Sequence, residues 1–326
     1  MKIAIIGGSI TEGAGASRYK NSYAYKLEEY LNEKKQNVVI KNLGSGGTAS
    51  QFGLFRLKRD LGEFKPDIIF VEFAVNDRIY NSVDSSKYFE GLIRECAKIT
   101  KKIIIIDCPT GLADSCTSIH KKIAYYYDIP VIDIQNSVWK KIGKREFVWN
   151  DICIDNLHPN DNGHDLYFKI IKENLENIDI DNLHIKIDES TITNCIFKSP
   201  TIIPYDDERI VYYGNWAEQN FKLNNKFDNG AINSSVGDGV VFKFQGKYLS
   251  MMNLFTKDSG ILECQLDNYT FNVDLYMKTD GYYNNTINLS DLVDGEHTLT
   301  MIISDKRNNR SSGNKIIIGG FCVDQI

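Results

Sequence analysis

The sequence predicts an α/β unit built on a doubly wound, flavodoxin-like parallel sheet, followed by an all-β sandwich. In the first half of the chain, short apolar runs alternate with longer stretches whose apolar residues recur at helical spacing. After about Asn177 the helical spacing fades, and Asn, Asp and Gly interrupt the chain about every 8–12 residues, as turns between short strands do. The 326 residues are enough for two domains of about 150 residues each.

The predicted strands of the first half are short and continuously apolar, which is typical of buried parallel strands. They span Lys2–Ile6, Val38–Ile40, Asp67–Phe73, Lys102–Asp107 and Val131–Ile134. A closing helix is predicted over Gly163–Leu175, because Leu166, Ile170 and Ile171 share one helical face. We predict this unit over residues 1–180. Its functional residues are expected where the strands end, because loops at the carboxyl ends of parallel strands form the ligand crevice.

The second half is predicted to form the β-sandwich over residues 205–326, after a junction over residues 181–204. Stretches such as Val240–Phe244 and His297–Ile303 are rich in the β-branched and apolar residues that favour strands. Turn-forming pairs stand where hairpins are expected: Asp267-Asn268, Asp280-Gly281 and Asp294-Gly295. This half is therefore predicted to be a separate all-β domain.

Charge and composition exclude several classes of function. The net charge is −5 and no dense Lys/Arg block appears, so the electrostatic footprint of a nucleic-acid-binding protein is missing. The first residues hold too few apolar positions for a signal peptide, and no later stretch approaches the roughly 18 apolar residues of a membrane span. We expect no membrane insertion and a cytoplasmic protein, with secretion as the alternative if an export signal has been removed.

The cysteines also favour a cytoplasmic protein. All seven are scattered, their number is odd, and none are spaced as Cys-x-x-Cys. This distribution argues against a disulfide framework and against a zinc knuckle. Reduced, buried thiols are the favoured interpretation, and neither a metal nor an organic cofactor is expected.

A glycine-rich turn with a serine follows the first predicted strand, in Gly7-Gly8-Ser9-Ile10-Thr11-Glu12-Gly13. A serine in such a turn can expose its hydroxyl at the crevice and present its own N–H to an oxyanion. A phosphate or dinucleotide loop is the alternative, but G-x-G-x-x-G is not met and no Walker lysine follows. The turn by itself predicts little more than a loop that binds something.

Two further segments follow strands and could supply oxyanion donors. The first is Asn42–Thr48, where glycines such as Gly47 let the backbone approach a ligand closely; a flexible loop is the alternative. The second ends in Asn76, directly after the apolar run Ile68–Phe73. Asn76 could be a turn former with no further role, or it could aim its amide into the crevice.

A fourth segment, Asp155-Asn156-Leu157-His158, precedes the predicted closing helix. An aspartate three residues before a histidine can fold its carboxylate back to the imidazole Nδ1–H, which leaves Nε2 free to take a proton from a serine. The other four histidines are interpreted as structural: His120, His164, His184 and His297. These segments together supply a nucleophile, oxyanion donors, a base and its orienting acid.

On these four segments, residues 1–175 resemble the SGNH (GDSL-like) hydrolase superfamily, whose sequence blocks contribute Ser, Gly, Asn and His. The resemblance implies Ser9 as nucleophile, His158 as base and Asp155 as the residue that orients it. It implies an oxyanion hole formed by the amides of Ser9 and Gly47 with the Asn76 side chain. The stretch Asn42–Leu57 and the run His158-Pro159-Asn160 are similar to the thioesterase/lysophospholipase branch. The implied reaction is acyl transfer without a cofactor.

Two positions depart from the pattern of the family. The first block often reads Gly-Asp-Ser, whereas Gly8 stands in the aspartate position, which implies altered loop packing with the chemistry intact. The third block usually has glycine two residues before the asparagine, where this chain has Ala74. The added methyl group either tightens the acyl pocket or displaces Asn76 and weakens the oxyanion hole.

The second half resembles the jelly-roll, galactose-binding-like modules attached to carbohydrate esterases, on three segments: Gly237–Gly246, Leu292–Leu299 and Gly319–Asp324. Its aromatic residues suit stacking on sugars or packing in the core: Tyr212, Tyr213, Trp216, Tyr282 and Tyr283. The resemblance implies a carbohydrate O-acetylesterase that acts on an acylated small molecule or polysaccharide. Two alternatives stay open: a lipid or thioester acylhydrolase or acyltransferase, and a glycan-binding protein with weak catalysis.

Overall fold

The computed structural model describes residues 1–34, 37–79, 82–112, 115–195, 197–223 and 225–325. It divides into two compact units, Met1–Ile196 and Phe197–Ile326. None of the helices in these ranges combines the length and the apolar composition needed to cross a bilayer.

The first unit contains a five-stranded parallel sheet. Its strands are β1 (Lys2–Gly7), β2 (Val39–Gly44), β3 (Ile68–Glu72), β4 (Ile103–Asp107) and β5 (Val131–Asp133). They lie in the order β2-β1-β3-β4-β5, which is the flavodoxin-like order. The predicted doubly wound α/β fold is therefore confirmed. Every residue of β3 and β4 is buried, as strands covered by helices on both faces require.

The helices of this unit connect the strands in the alternating order predicted. They are α1 (Ser9–Glu12), α2 (Tyr23–Lys34), α3 (Ser50–Leu61), α4 (Ser82–Ile99), α5 (Thr117–Tyr126), α6 (Ile134–Gly143), α7 (Trp149–Ile152) and α8 (Asp161–Leu175). Buried side chains from α2 and α8 pack with those of the strands in one apolar core. Burying a Leu or Ile side chain contributes roughly 1.5–3 kcal/mol, so this core holds the strand ends in place.

Two element boundaries in this unit differ most from the prediction, one because of a local cap and one because of tertiary pairing. Helix α8 begins at Asp161 rather than Gly163, because the side chain of Asn160 caps it by accepting a hydrogen bond from the Gly163 N–H. Strand β2 runs on to Gly44 although Lys41 and Asn42 interrupt its apolar pattern. Pairing with β1 continues through Gly7 and Gly44, and this tertiary pairing outweighs the local polarity.

The second unit is an antiparallel β-sandwich, as predicted. One sheet has the order β13-β12-β15-β10-β7, and the other has the order β14-β11-β16-β9-β8 with β6 paired to β16. The strands are β6 (Pro200–Pro204), β7 (Ile210–Tyr213), β8 (Ala217–Leu223), β9 (Phe227–Asn233), β10 (Gly239–Gln245), β11 (Leu249–Phe255), β12 (Ile261–Leu266), β13 (Tyr269–Asp274), β14 (Tyr282–Leu289), β15 (Glu296–Ile303) and β16 (Ile316–Asp324). The segment interpreted as a junction thus includes strand β6.

Most of the aromatic residues singled out in the second half contribute to its core. Tyr212 and Trp216 pack against the apolar core of this unit, with ring centroids 5.1 Å apart. Tyr283 is buried, whereas Tyr213 and Tyr282 are 38% and 48% exposed. Only the last two of these five rings therefore offer an accessible face of the size that stacking on a sugar needs.

Candidate active site

The first three predicted segments meet at one edge of the parallel sheet. Ser9 follows β1, Gly47 follows β2 and Asn76 follows β3, and these three strands are neighbours in the sheet. Their carboxyl ends form one edge, so the segments come together there. Close approaches confirm the proximity: a Cβ atom added to Gly46 would lie 3.6 Å from the Ser9 Cβ, and one added to Gly8 would lie 2.3 Å from the Asn76 Oδ1.

Ser9 stands at the first position of the short helix α1 and is half-buried. Its Oγ lies 2.9 Å from the His158 Nε2, although the two residues are 149 positions apart in the sequence. A hydroxyl at this distance from an imidazole nitrogen can transfer its proton directly to the ring. Ser9 and His158 therefore have the geometry of a hydroxyl and the base that could activate it.

Asp155 orients the His158 ring from the opposite side. Its Oδ2 lies 2.8 Å from the His158 Nδ1, and its Oδ1 accepts hydrogen bonds from the backbone N–H groups of Leu157 and His158, each at 2.7 Å. Partial burial alone would raise the pKa of Asp155, but these three hydrogen bonds outweigh it and hold the pKa below its usual range. The ionised carboxylate accepts the Nδ1–H, so Nε2 is left as the acceptor that faces Ser9.

The segment that carries Asp155 and His158 is fixed by backbone hydrogen bonds. The N–H of Ile154 donates to the His158 carbonyl at 2.9 Å, which closes the turn. The indole Nε1–H of Trp149 donates to the Asp155 carbonyl at 2.8 Å. The N–H of Gly111 donates to the Asn156 carbonyl, also at 2.8 Å. Such a turn holds the imidazole in one orientation before substrate binds.

His164 joins the segment that follows Ser9 to α8 and takes no part in the contact between Ser9 and His158. Its Nε2 lies 3.1 Å from the Ala14 carbonyl, and its Nδ1 accepts a hydrogen bond from the Tyr23 N–H at 3.3 Å. Burial lowers the pKa of His164 to about 4, so the ring is neutral at physiological pH. This arrangement agrees with the structural role expected for it from the sequence.

Three donors belong to the segments that meet at this edge, and the sequence predicts them as the oxyanion hole. Within the described ranges, no group accepts a hydrogen bond from the backbone N–H of Ser9 or Gly47, or from the side-chain amide nitrogen of Asn76. Gly47 has a φ of 70°, in the left-handed region that glycine adopts without strain. Unpaired donors next to a nucleophile are what stabilises the charge of a tetrahedral intermediate.

Several residues that shape this site escaped the sequence analysis. Glu12 accepts a hydrogen bond from the Gly46 N–H at 3.0 Å and so holds the turn that contains Gly47. Arg56 is fully buried and donates to the carbonyls of Leu43 and Gly7 at 2.6 and 3.2 Å, which ties the ends of β2 and β1 together. The sequence carries one signal for Arg56, since this cation stands between the apolar residues Phe55 and Leu57 in the segment that forms α3.

The two departures from the family pattern have different local consequences. The space that a side chain at residue 8 would fill holds the Asn76 amide, since a Cβ on Gly8 would meet its Oδ1, Cγ and Nδ2 at 2.3, 2.9 and 3.3 Å. Ala74 is fully buried, and its carbonyl accepts the Cys116 N–H at 3.1 Å. Asn76 lies beside Gly8 with Ala74 in place, so the methyl group is accommodated in the core.

A double-mutant cycle tests the contact between Gly8 and Asn76. Gly8→Ala and Asn76→Ala are each expected to lower kcat about 10²–10³-fold, because each removes a correctly placed amide donor. In the Asn76→Ala background, Gly8→Ala should lower kcat much less, because the amide that the new Cβ would displace is absent. Steady-state kinetics on a p-nitrophenyl ester measures all four proteins. Fully additive effects would contradict this geometry.

Comparisons with known proteins agree with this architecture. Residues 5–166 match the model of the GDSL-like lipase/acylhydrolase family. Two crystal structures of a two-domain esterase (CEX) active on acetylated mannans, one co-crystallized with mannopentaose, match with a TM-score of 0.86 and 21% identity. These matches cover 100% of this chain and 92% and 91% of the other chains. At this identity the likeness establishes the fold.

Other matches are more limited. The acetyl xylan esterase AlAXEase matches 54% of this chain and 100% of its own, with 19% identity and a TM-score of 0.45. The comparison with curated protein sequences produced no significant match.

Proposed function

We propose, from the premise that residues 5–166 form a domain of the GDSL-like lipase/acylhydrolase family, that this chain is a serine-dependent carboxylic ester hydrolase. The observation that carries the proposal is the hydrogen-bonded chain from Ser9 through His158 to Asp155, with distances of 2.9 and 2.8 Å. A serine, an imidazole and a carboxylate in this order are recognised by geometry rather than by position in the sequence.

The proposed reaction passes through an acyl-enzyme. Ser9 Oγ attacks the ester carbonyl carbon while its proton moves to the His158 Nε2, and the carbonyl oxygen becomes an oxyanion. The N–H groups of Ser9 and Gly47 and the Asn76 amide stabilise that charge. When the tetrahedral intermediate collapses, the C–O bond to the alcohol breaks, and the alcohol leaves with the proton from His158.

The second half of the reaction reverses these roles with water. His158 takes a proton from a water molecule, whose oxygen attacks the acyl-enzyme carbonyl. Collapse of the second intermediate releases the carboxylic acid and returns the proton to Ser9. Asp155 remains ionised throughout and stabilises the imidazolium form of His158 in both steps.

We propose that the substrate is an acetyl ester of a carbohydrate. The support is the two-domain fold shared with an esterase active on acetylated mannans, together with a β-sandwich unit that has accessible Tyr213 and Tyr282. A lipid or thioester acylhydrolase would use the same three residues, so acyl chain length separates the two proposals.

The test is hydrolysis of matched esters and of acetylated glycans. We expect acetate release from acetylated mannan, and a kcat/KM for p-nitrophenyl acetate at least about 100-fold above that for the octanoate, because a small acyl pocket excludes six further methylenes. The Ser9→Ala variant is the control for contaminating esterases. Preference for the octanoyl ester would overturn the carbohydrate proposal but keep the esterase, and absence of hydrolysis of any ester would overturn both.

A further inference from the structure

A buried acidic residue lies beneath the nucleophile. Glu72 ends the apolar strand β3, is fully buried and pairs in register with Gly7, two residues before Ser9. The charged groups that face its carboxyl are His120 and Asp77. A carboxyl group is costly to bury, so its position beside the site calls for a physical reason.

One oxygen of Glu72 anchors the helix that carries Ser9. The Thr11 hydroxyl donates to the Glu72 Oε2 at 2.9 Å, and Tyr23 OH, 2.7 Å away, donates to the Thr11 Oγ1. Gly7 makes room for this contact, since a Cβ there would lie 2.2 Å from the Thr11 Oγ1. Thr11 lies two residues after Ser9 in α1, so the Glu72 carboxyl fixes the turn in which the nucleophile sits.

The other oxygen of Glu72, Oε1, and the amide oxygen of Asn76 are both unsatisfied hydrogen-bond acceptors within the described part of the chain. Both are buried and neither has a hydrogen-bond partner among the described residues. Both groups also lie next to the Gly7-Gly8 turn: Glu72 pairs in register with Gly7, and the Asn76 Oδ1 lies 2.3 Å from where a Gly8 Cβ would be. Two acceptors cannot satisfy each other, but a protonated carboxyl carries one O–H donor.

We infer that Glu72 acts as a neutral carboxylic acid that positions both the nucleophile and the oxyanion donor. Its Oε2 accepts from Thr11 and holds Ser9, and its Oε1–H donates to the Asn76 Oδ1. The Asn76 amide then has its oxygen occupied and its NH₂ group left for the substrate oxyanion. This role rests on the proposed esterase function. Glu72 is a positioning residue, since it acts through Thr11 and Asn76.

The electrostatic surroundings favour the neutral form. Burial raises the pKa of Glu72 to about 8, despite the opposing effects of its hydrogen bonds and of His120. Tyr23 on α2, Tyr167 on α8 and Cys108 after β4 also face this carboxyl, and burial raises the pKa of each.

The charged neighbour His120 stays protonated in the same pH range. Burial alone would lower its pKa, but the carboxylates of Asp107, 3.6 Å from its Nδ1, and of Asp77, 3.0 Å from its Nε2, raise it to about 9. Near pH 8 it is therefore Glu72 that changes charge. Its ionisation removes the proton that the Asn76 Oδ1 accepts and places a negative charge near the oxyanion.

The test compares Glu72→Gln with Glu72→Met. Glutamine keeps an acceptor for Thr11 and an N–H donor for Asn76 but cannot ionise, so we expect kcat within about tenfold of the wild type at pH 7. The alkaline loss of kcat, centred near pH 8 in the wild type, should be absent from this variant. Methionine has neither group, and we expect kcat to fall about 10²-fold with KM nearly unchanged. Glu90→Gln, at another fully buried glutamate, is the matched control and should retain the alkaline loss.

Stability gives a readout that needs no substrate. The pKa of Glu72 is raised on folding, so its contribution to stability is complete below the unfolded value and is lost as pH rises from about 4.5 to about 8. Urea unfolding at pH 6 and pH 9 should therefore show a smaller loss of stability for Glu72→Gln than for the wild type.

These readouts separate the two proposals. An unchanged alkaline loss in Glu72→Gln, or wild-type kcat per folded molecule in Glu72→Met, would overturn the positioning role while leaving the esterase intact. Absence of ester hydrolysis in the wild type would overturn the esterase. The pH dependence of unfolding would still decide whether Glu72 is neutral.

Discussion

Replacement of Ser9 by alanine is expected to lower kcat for p-nitrophenyl acetate by about 10⁴–10⁶-fold. The variant lacks the hydroxyl that lies 2.9 Å from the His158 Nε2. The acyl-enzyme therefore cannot form, and no hydroxyl proton can move to the imidazole. The oxyanion donors do not depend on the side chain of residue 9, and some rate above that in water should remain. Steady-state kinetics on purified protein measures the effect.

Covalent labelling identifies which serine is the nucleophile. A phosphonate ester with a good leaving group should phosphonylate Ser9 of the wild type once, with loss of the leaving group and of the hydroxyl proton, and should leave Ser9→Ala unmodified. Ser86→Ala is the matched control, because within the described part of the chain the Ser86 hydroxyl hydrogen-bonds only to the Val83 carbonyl in α4. Labelling of a different serine, or a Ser9→Ala rate within tenfold of the wild type, would be incompatible with Ser9 as nucleophile.

The parallel sheet and its edge were predictable because both depend on local patterns. Continuous apolar runs such as Ile103–Asp107 are long enough to be strands and too short to be helices, and they are buried throughout. Once the strands are in place, Ser9 and Asn76 must fall at their carboxyl ends. The Asp155 and His158 spacing is also local, and the carboxylate reaches the ring over three residues.

The supports of the site were not predictable, because they depend on contacts between distant segments. Glu72 and Thr11 are 61 residues apart, and Arg56 reaches the Gly7 carbonyl over 49. A glutamate at the end of an apolar strand is expected from the sequence pattern to lie at the surface. Gly7 and Gly8 leave space that the side chains of Thr11 and Asn76 occupy. The periodicity of the sequence does not indicate which side chains fill such a space.

The same reason explains why strand β6 is not predictable from the sequence. Pro200–Pro204 begins and ends with proline, which lacks the N–H that a ladder needs and argues against a central strand. The structure places β6 as an addition beside β16, paired from Pro204↔Gly320 to Pro200↔Asp324. Pairing with residues 116 to 124 positions further along the chain determines this strand.

The second large effect is expected from Asp155→Asn, which should lower kcat by about 10⁴-fold and leave KM nearly unchanged. The geometry decides how the amide sits. The Oδ1 position accepts two backbone N–H groups, from Leu157 and His158, so the amide oxygen must take that place. The NH₂ group then faces the His158 Nδ1, which becomes an acceptor and leaves the ring proton on Nε2. In that tautomer the ring cannot take the Ser9 proton.

This prediction separates orientation of the base from folding of its turn, because asparagine keeps both backbone hydrogen bonds. Thermal unfolding of Asp155→Asn should therefore stay close to that of the wild type while kcat falls. Asp151→Asn is the matched control. Asp151 lies four residues upstream of Asp155, and its side chain accepts a hydrogen bond from the Val148 N–H rather than from the His158 ring. If Asp155→Asn kept most of its kcat, the His158 tautomer would not depend on Asp155, and another group would have to orient the base.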